Sequence, residues 1–391
     1  MKYYKSIYNV FDGLKFLKSK EITTDFFFVL IIVILFSLQS SVTIILSYIA
    51  SFIYLLKING LKKVNRFVVF YWLIFSTLVS ICIFQFNHGV TPIFYLILTP
   101  FIILSAKKIA YKPIEHIEII ITKAYLFFLF VILIGLIWNF NKPDPIAHII
   151  PWSSQNGITS YLIVIHISYS IVYYLRYEKL PILLAFILLI ITLYGLGRGS
   201  IIIAGLIFII SLFINHFLNN KNGLIRNLFF FPIYCIIIYL IYKQYLNYES
   251  EIDLIIERSK FSQNLADDPR KNMLNEYLKK LNIWSTIFGS SFEGTSIQKN
   301  YDGNPHNSFI RVHSFYGLIG LVSVFAPICL IFIKKIKFKT KVIFGVFIIL
   351  LLTRAISEPI LFPTTLDFFY SFNFFVFYSH RIEKKEKLCH I

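Results

Sequence analysis

The stretch NPHNSFIRVHSFYGLIG, residues 304–320, sets two histidines and an arginine at the mouth of an apolar run. Imidazole is the side chain whose ordinary pKa lies close to neutrality, so His306 and His313 are candidates to take up or release a proton. A guanidinium is a permanent cation with five donors in a rigid fork, which suits Arg311 to a carboxylate or a phosphate. Four further arginines stand out: Arg198 in GLGRGS, Arg258 and Arg270 within 246–305, and Arg354 in TRAISEP. Several such cations converging on one cavity would bind a phosphate or diphosphate. Each has a plainer reading beside this one. Arg198 between two glycines fits a snorkelling turn residue, and Arg258 and Arg270 fit solvated loop charges. Arg354 and Glu358, four apart, fit a simple ion pair. His313 fits an interhelical hydrogen bond. His306 follows Pro305 and is expected in the first turn of a span, facing an outer cavity. His313, seven residues on, would then lie about 10 Å deeper.

Those residues need a scaffold, and the composition defines it. Apolar residue types make up 57% of the 391, only 15% are charged, and mean hydropathy is +0.71. This excludes an ordinary soluble globule and points to an all-α polytopic membrane protein. The net charge of +18 reads as orientation charge on one membrane face, not as a nucleic-acid footprint. Cys82, Cys235 and Cys329 lie in apolar runs and Cys389 in the tail, so no disulfide framework or paired-cysteine metal site is expected. EID at 251–253 and Asp267–Asp268 are the acidic groups nearest to a cation site, and helix capping and solvation account for them. No metal or other cofactor is therefore expected.

Apolar runs at 67–86, 92–106, 117–138, 159–175, 181–196, 199–217, 227–245, 308–333, 341–356 and 366–379 are span candidates. The run 26–56 is too long for one span and carries SLQSS at its middle, so it is predicted as two short helices, giving about twelve transmembrane helices. Most of the 38 lysines and arginines then fall on one side: in the first 25 residues, at 57–66, 107–112, 176–179, 221–226 and 334–341, and in the tail. The short loops opposite hold only Lys142 and Arg198. The positive side is the cytoplasmic one, which places both termini there. The layout is an interfacial segment at 1–25, helices 1–9 over 26–245, a large periplasmic loop at 246–305, helices 10–12 over 306–380, and a tail at 381–391. Within the loop, DDPRKNMLNEYLKKLNIWSTIFGSS predicts one amphipathic helix. Asp268 would be its N-cap and Pro269 its first residue, with Leu274, Tyr277, Leu278, Leu281 and Trp284 on one stripe and Gly289 as its stop.

Taken in order, GRGS, the arginine-bearing loop and PHNSFIRVHSFYGLIGL resemble the O-antigen polymerase and O-antigen ligase superfamily. Its histidine helix opens with His-Asn and continues to a Gly-apolar-x-Gly stretch, and an Arg-Gly motif lies between two earlier spans. The family more often has Ser-Arg-Gly where this chain has Gly197 before Arg198. The resemblance implies a metal-independent glycosyltransferase in the bacterial cytoplasmic (inner) membrane. Its substrate would be an undecaprenyl-diphosphate-linked oligosaccharide. Glycan would pass to a sugar hydroxyl on the outer face, making O-antigen or a related surface polysaccharide. His306 would be the base, and Arg198, Arg258, Arg270, Arg311, His313 and Arg354 would hold diphosphate and glycan. The lipid bilayer and a chain-length regulator are the implied partners, and nucleic acid is not one.

Two alternatives use the same residues differently. An O-antigen ligase would share the donor and transfer to lipid A-core; PHNSF with a compact loop favours the polymerase. A flippase or transporter would carry its ionisable groups at mid-membrane, where this sequence offers Lys123 and His166. The charge layout makes its own prediction: a topology reporter fused after Asn264 should be active outside, and one fused after Lys337 inside. Exchange of those two signals would overturn the twelve-span layout.

Overall fold

A computed structural model of the chain describes residues 20–38, 41–58, 74, 77, 91–142, 145–150, 153–218, 269–333 and 336–379. Among these residues every regular element is helical. The elements are α1 (Lys20–Ser37), α2 (Ser41–Lys57), α3 (Thr91–Ala110), α4 (Ile114–Trp138), α5 (Gln155–Tyr177), α6 (Ile182–Tyr194) and α7 (Arg198–Phe213). After these come α8 (Pro269–Lys280), α9 (Ile283–Phe288), α10 (Ser296–Tyr301), α11 (Ser308–Ile333), α12 (Phe338–Ser357) and α13 (Asp367–Ser379).

Six helices among the described residues, matching α3, α4, α5, α7, α11 and α12, are long and apolar enough to cross a membrane. The run 26–56 does divide into α1 and α2, although α1 begins earlier than the apolar stretch, at Lys20. Two predicted spans are short. α6 and α13 each have 13 residues, about 20 Å of helix, less than the ~30 Å hydrocarbon core. The predicted spans at 67–86, apart from two isolated helical residues, and at 227–245 lie outside the described residues, as do Cys82, Cys235, Cys389 and the Asp268 cap.

α5 is the centre of the bundle. Of its apolar window, 89% is buried, against half or less in the other five long helices, and it packs on α4, α6, α7, α12 and α13. Its start is fixed by Ser154, whose hydroxyl accepts the Gly157 N–H at 3.0 Å as an N-cap. Its end is a left-handed C-cap at Glu178.

Polar residues gather at the two ends of α5. At the far end, Arg176 bonds Glu115 at 2.7 Å and Glu118 at 2.9 Å, both from α4. Near the starts of α1 and α4, the fully buried Asp25 carboxylate accepts the Tyr54 hydroxyl at 2.8 Å and lies 2.9 Å from His116 Nε2. Lys112 is 3.9 Å from Asp25 and pairs with Glu21. These are residues that charge counting assigns to the cytoplasmic side, and here they meet at one end.

The loop helices sit on the opposite end. The single amphipathic helix expected at 269–288 is two helices. Asn282 breaks it by building a capping box with Ser285, its side chain accepting the Ser285 N–H at 2.8 Å. Of the expected stripe, Tyr277 is buried and Leu281 packs beside it. Met273, Tyr277, Phe292, Ile297 and Ile310 form a small separate core, whereas Leu278 and Trp284 are 52% and 61% exposed. Gly289 ends α9, as expected.

α9 lies against α11 at a kink. Gly317 has φ +61° inside α11, a conformation that side chains disfavour, and a Cβ there would overlap the Ile287 carbonyl. Close approach of the loop to the span therefore requires glycine. Gly317→Ala should destabilise the protein by about 2 kcal/mol or more, read as lower membrane abundance and a lower melting temperature in detergent. Wild-type values for both would show that the loop tolerates displacement at this point.

Candidate functional site

The chain between α12 and α13, residues 358–366, is buried but not helical. A non-helical backbone in an apolar bundle is stable only if its polar groups find partners within the protein, and α11 supplies several. Ser308 Oγ donates to the Glu358 carbonyl at 2.9 Å and accepts the Leu361 N–H at 3.1 Å. Arg311 Nη2 donates to the carbonyls of Pro359 and of Leu361, the latter at 3.3 Å. From the other side, the Asp367 carboxylate accepts the N–H groups of Phe362 at 2.9 Å and Thr364 at 3.0 Å. Arg311 is a candidate for gripping substrate; here its Nη2 is turned onto two backbone carbonyls, while Nε has no partner among the described residues.

This clamp places the last turn of α12 beside α5, α7 and the start of α11. Arg354 is 2% exposed. Its Nη1 donates to Ser357 Oγ at 2.6 Å and its Nη2 to the Asn156 carbonyl at 3.2 Å, while Nε has no partner among the described residues. Gly199 makes room for it: a Cβ there would stand 3.2 Å from Arg354 Nη1 and 3.3 Å from Ser357 Oγ. Gly197, the residue before α7, is packed on Asn156 so closely that a Cβ would collide with Oδ1. The GRGS turn is therefore a packing surface for Arg354, with Arg198 opening α7 between the two glycines. Ser200 joins the contact through Thr159, their hydroxyls 2.8 Å apart.

Glu358 brings the loop in. Its Oε1 lies 3.4 Å from Arg270 Nη2 and 3.7 Å from Arg354 Nη2, so one carboxylate oxygen faces two guanidiniums. The i,i+4 ion pair expected from the sequence is present, with Arg270 of α8 added to it.

His306 lies beside this cluster but not in a helix. α11 starts at Ser308, after Asn307, whose side chain accepts the Phe309 N–H at 2.8 Å as a cap. His306 itself has φ +47°, its N–H bonded to Asn304 Oδ1 at 3.0 Å, and its ring meets Tyr301 edge-on at 5.5 Å. The expectation of a first-turn position thus fails by two residues, because Asn304 and Asn307 side chains form turns that outcompete helix. Partial burial pushes the imidazole below the ordinary histidine value; Glu358 opposes this shift and Arg270 adds to it. His306 is consequently neutral at pH 7 and able to accept a proton.

His313 is placed differently. Its Nδ1 lies 2.8 Å from the Tyr277 hydroxyl and its Nε2 2.9 Å from the Thr286 carbonyl. The carbonyl can only accept, so Nε2 carries the proton and Nδ1 accepts from the tyrosine. Both nitrogens are occupied in tying α8 and the α9 turn to α11. Arg258 lies outside the described residues. Asn156 and Ser357 were not singled out in the sequence; the polar run SSQNG before α5 is the signal that marks the former. Among the described residues no group of three or more histidine, cysteine or acidic side chains is arranged to hold a metal ion.

His313→Ala should orphan the Tyr277 hydroxyl and the Thr286 carbonyl, at a cost of about 1–3 kcal/mol, and lower protein abundance. His306→Ala should leave abundance unchanged and act on activity alone. The reverse pattern, with His313→Ala inactive at full abundance, would make the deeper histidine the reacting one. In comparisons with known protein families, curated proteins and solved structures, the chain has no match.

Proposed function

We propose that the chain is a membrane glycosyltransferase that extends a surface polysaccharide. In this reading a growing glycan passes from undecaprenyl diphosphate to a sugar hydroxyl of a lipid-linked repeat unit, at the outer face of the cytoplasmic membrane. The observation carrying this reading is the convergence of Arg354 and Arg270 on one carboxylate oxygen, 3.7 and 3.4 Å away, beside a neutral histidine at one end of an apolar bundle.

The chemistry follows from those groups. As the bond between the sugar anomeric carbon and the diphosphate oxygen breaks, the leaving diphosphate takes the electron pair and gains charge. Preformed guanidiniums stabilise that charge without reorganising; one donor of this kind contributes ~3 kcal/mol. His306 takes the proton of the acceptor hydroxyl as its oxygen bonds the anomeric carbon, worth roughly 100-fold or more in rate. Arg198 supplies a further positive charge at the glycine-flanked turn. Exposed apolar side chains such as Phe186, Ile202 and Leu206 on α6 and α7 offer a surface compatible with the polyprenyl chain.

Purified full-length protein given a labelled carrier-linked repeat unit should yield longer carrier-linked chains. Transfer to lipid A-core alone would make it a ligase, and passage of the lipid-linked sugar across proteoliposomes without bond formation would make it a transporter. Arg198→Lys should lose activity by about tenfold or more, because an ammonium cannot reproduce the fork; full activity in that variant and in Arg198→Ala would reduce Arg198 to a turn residue. The rate should stay level at pH 7 and fall only below the ordinary histidine pKa of ~6.5, since the shift at His306 is downward. His306→Ala should abolish that acid limb along with most of the activity.

A further inference from the structure

We propose that Glu358 is a charge-discriminating residue, making the arginine site favour a doubly negative diphosphate diester over the more negative diphosphate monoester formed from it. This rests on the diphosphate reading above and deepens it.

Glu358 is not needed to orient Arg354. That guanidinium is already held by Ser357 Oγ at 2.6 Å and the Asn156 carbonyl at 3.2 Å. Nor does the carboxylate form a tight pair with either arginine. Its Oε1 stands 3.4 and 3.7 Å from them, longer than the ~2.8 Å of a charge-assisted bond. Its backbone is, however, held by Ser308 Oγ at 2.9 Å, and its side chain is buried beside a buried arginine. A charge in that setting is weakly screened and acts strongly on any other charge that arrives. The ionisable groups around it are Arg270 of the loop, Arg354 of its own helix and His306 before α11.

Charge balance gives the consequence. Arg270 and Arg354 offer two positive charges, and Glu358 facing both cuts that sum to one. A carrier diphosphate bearing sugar at one end and polyprenol at the other has two ionised oxygens. Once the sugar has gone, the terminal phosphate acquires a second ionisation with a pKa near 6, so the product carries a third negative charge near neutral pH. Without Glu358 the arginines would hold the product more tightly than the substrate, and turnover would be limited by release. The carboxylate repels that third charge.

The test measures binding of inorganic pyrophosphate and of the diphosphate diester carrying one O-methyl group on each phosphate to purified full-length protein. Wild type should bind the diester at least as well as pyrophosphate. Glu358→Gln keeps the shape and loses the charge; it should shift preference toward pyrophosphate by about tenfold or more, and in turnover kcat and KM should fall together. Glu358→Asp should keep the wild-type preference. A wild type that prefers pyrophosphate by tenfold or more overturns the proposal without recourse to a variant. An unchanged preference in Glu358→Gln, in protein that melts like wild type, overturns it as well while leaving the diphosphate reading intact. Binding of neither probe by wild type overturns the diphosphate reading itself, and the proposal with it.

Discussion

The arrangement at the functional end depends on one constraint: the buried, non-helical backbone of 358–366 must have partners for its polar groups inside an apolar bundle. Each unsatisfied carbonyl or N–H there would cost on the order of 1–3 kcal/mol or more. Ser308 and Arg311 from α11 and Asp367 from α13 meet this demand from two sides. The same bonds fix where α12 ends, and with it Arg354 and Glu358. The site is thus positioned by bonds that do not themselves reach toward it.

That dependence separates the arginines by role. Arg311 gives Nη2 to two carbonyls of the 358–366 segment. Arg354 is buried and oriented by Ser357 and Asn156, and the Nε of each arginine has no partner among the described residues. Arg270 comes from a separate helix of the loop and meets the same Glu358 oxygen as Arg354. Two cations sharing a single carboxylate form an electrostatic cluster whose strength is set by the balance of charges rather than by any single bond. The histidines divide in the same way. His313 is saturated by two partners, whereas His306 is held in a turn through its backbone N–H, its ring meeting Tyr301 edge-on.

α5 connects this end to the other. A helix of 23 residues, about 34 Å long, carries Asn156 at the site and Arg176 at the opposite cluster with Glu115 and Glu118. Between them His166 hydrogen-bonds Tyr125 at 2.8 Å, and Tyr125 stacks on Tyr169 at 5.1 Å. A polar central helix is costly in hydrocarbon and is tolerated here because neighbouring helices bury it on all sides. The polar clusters at its two ends pin the helices that surround it.

The sequence by itself determined the class of molecule, because apolar runs and their lengths leave few other options for a chain of this composition. It determined the division of 26–56, because a polar knot cannot sit mid-span, and the breaks at Gly197 and Gly289, because helix ends are written in local residues. It also marked Arg198, Arg270, His306 and Arg354 as groups worth placing. Tertiary structure decided which of them meet. Nothing local to Arg270 says that it reaches Glu358, 88 positions away. Nothing local to Arg311 says that its fork is needed by the carbonyls of Pro359 and Leu361. In α8 the same holds: Tyr277 and Leu278 are equally plausible core residues until the partner surface, here Phe292 and Ile310, is known, and it buries Tyr277 and leaves Leu278 exposed. Local periodicity fixes which residues share a face, but which face is buried, and which cation is spent on backbone, depends on contacts between segments far apart in the chain.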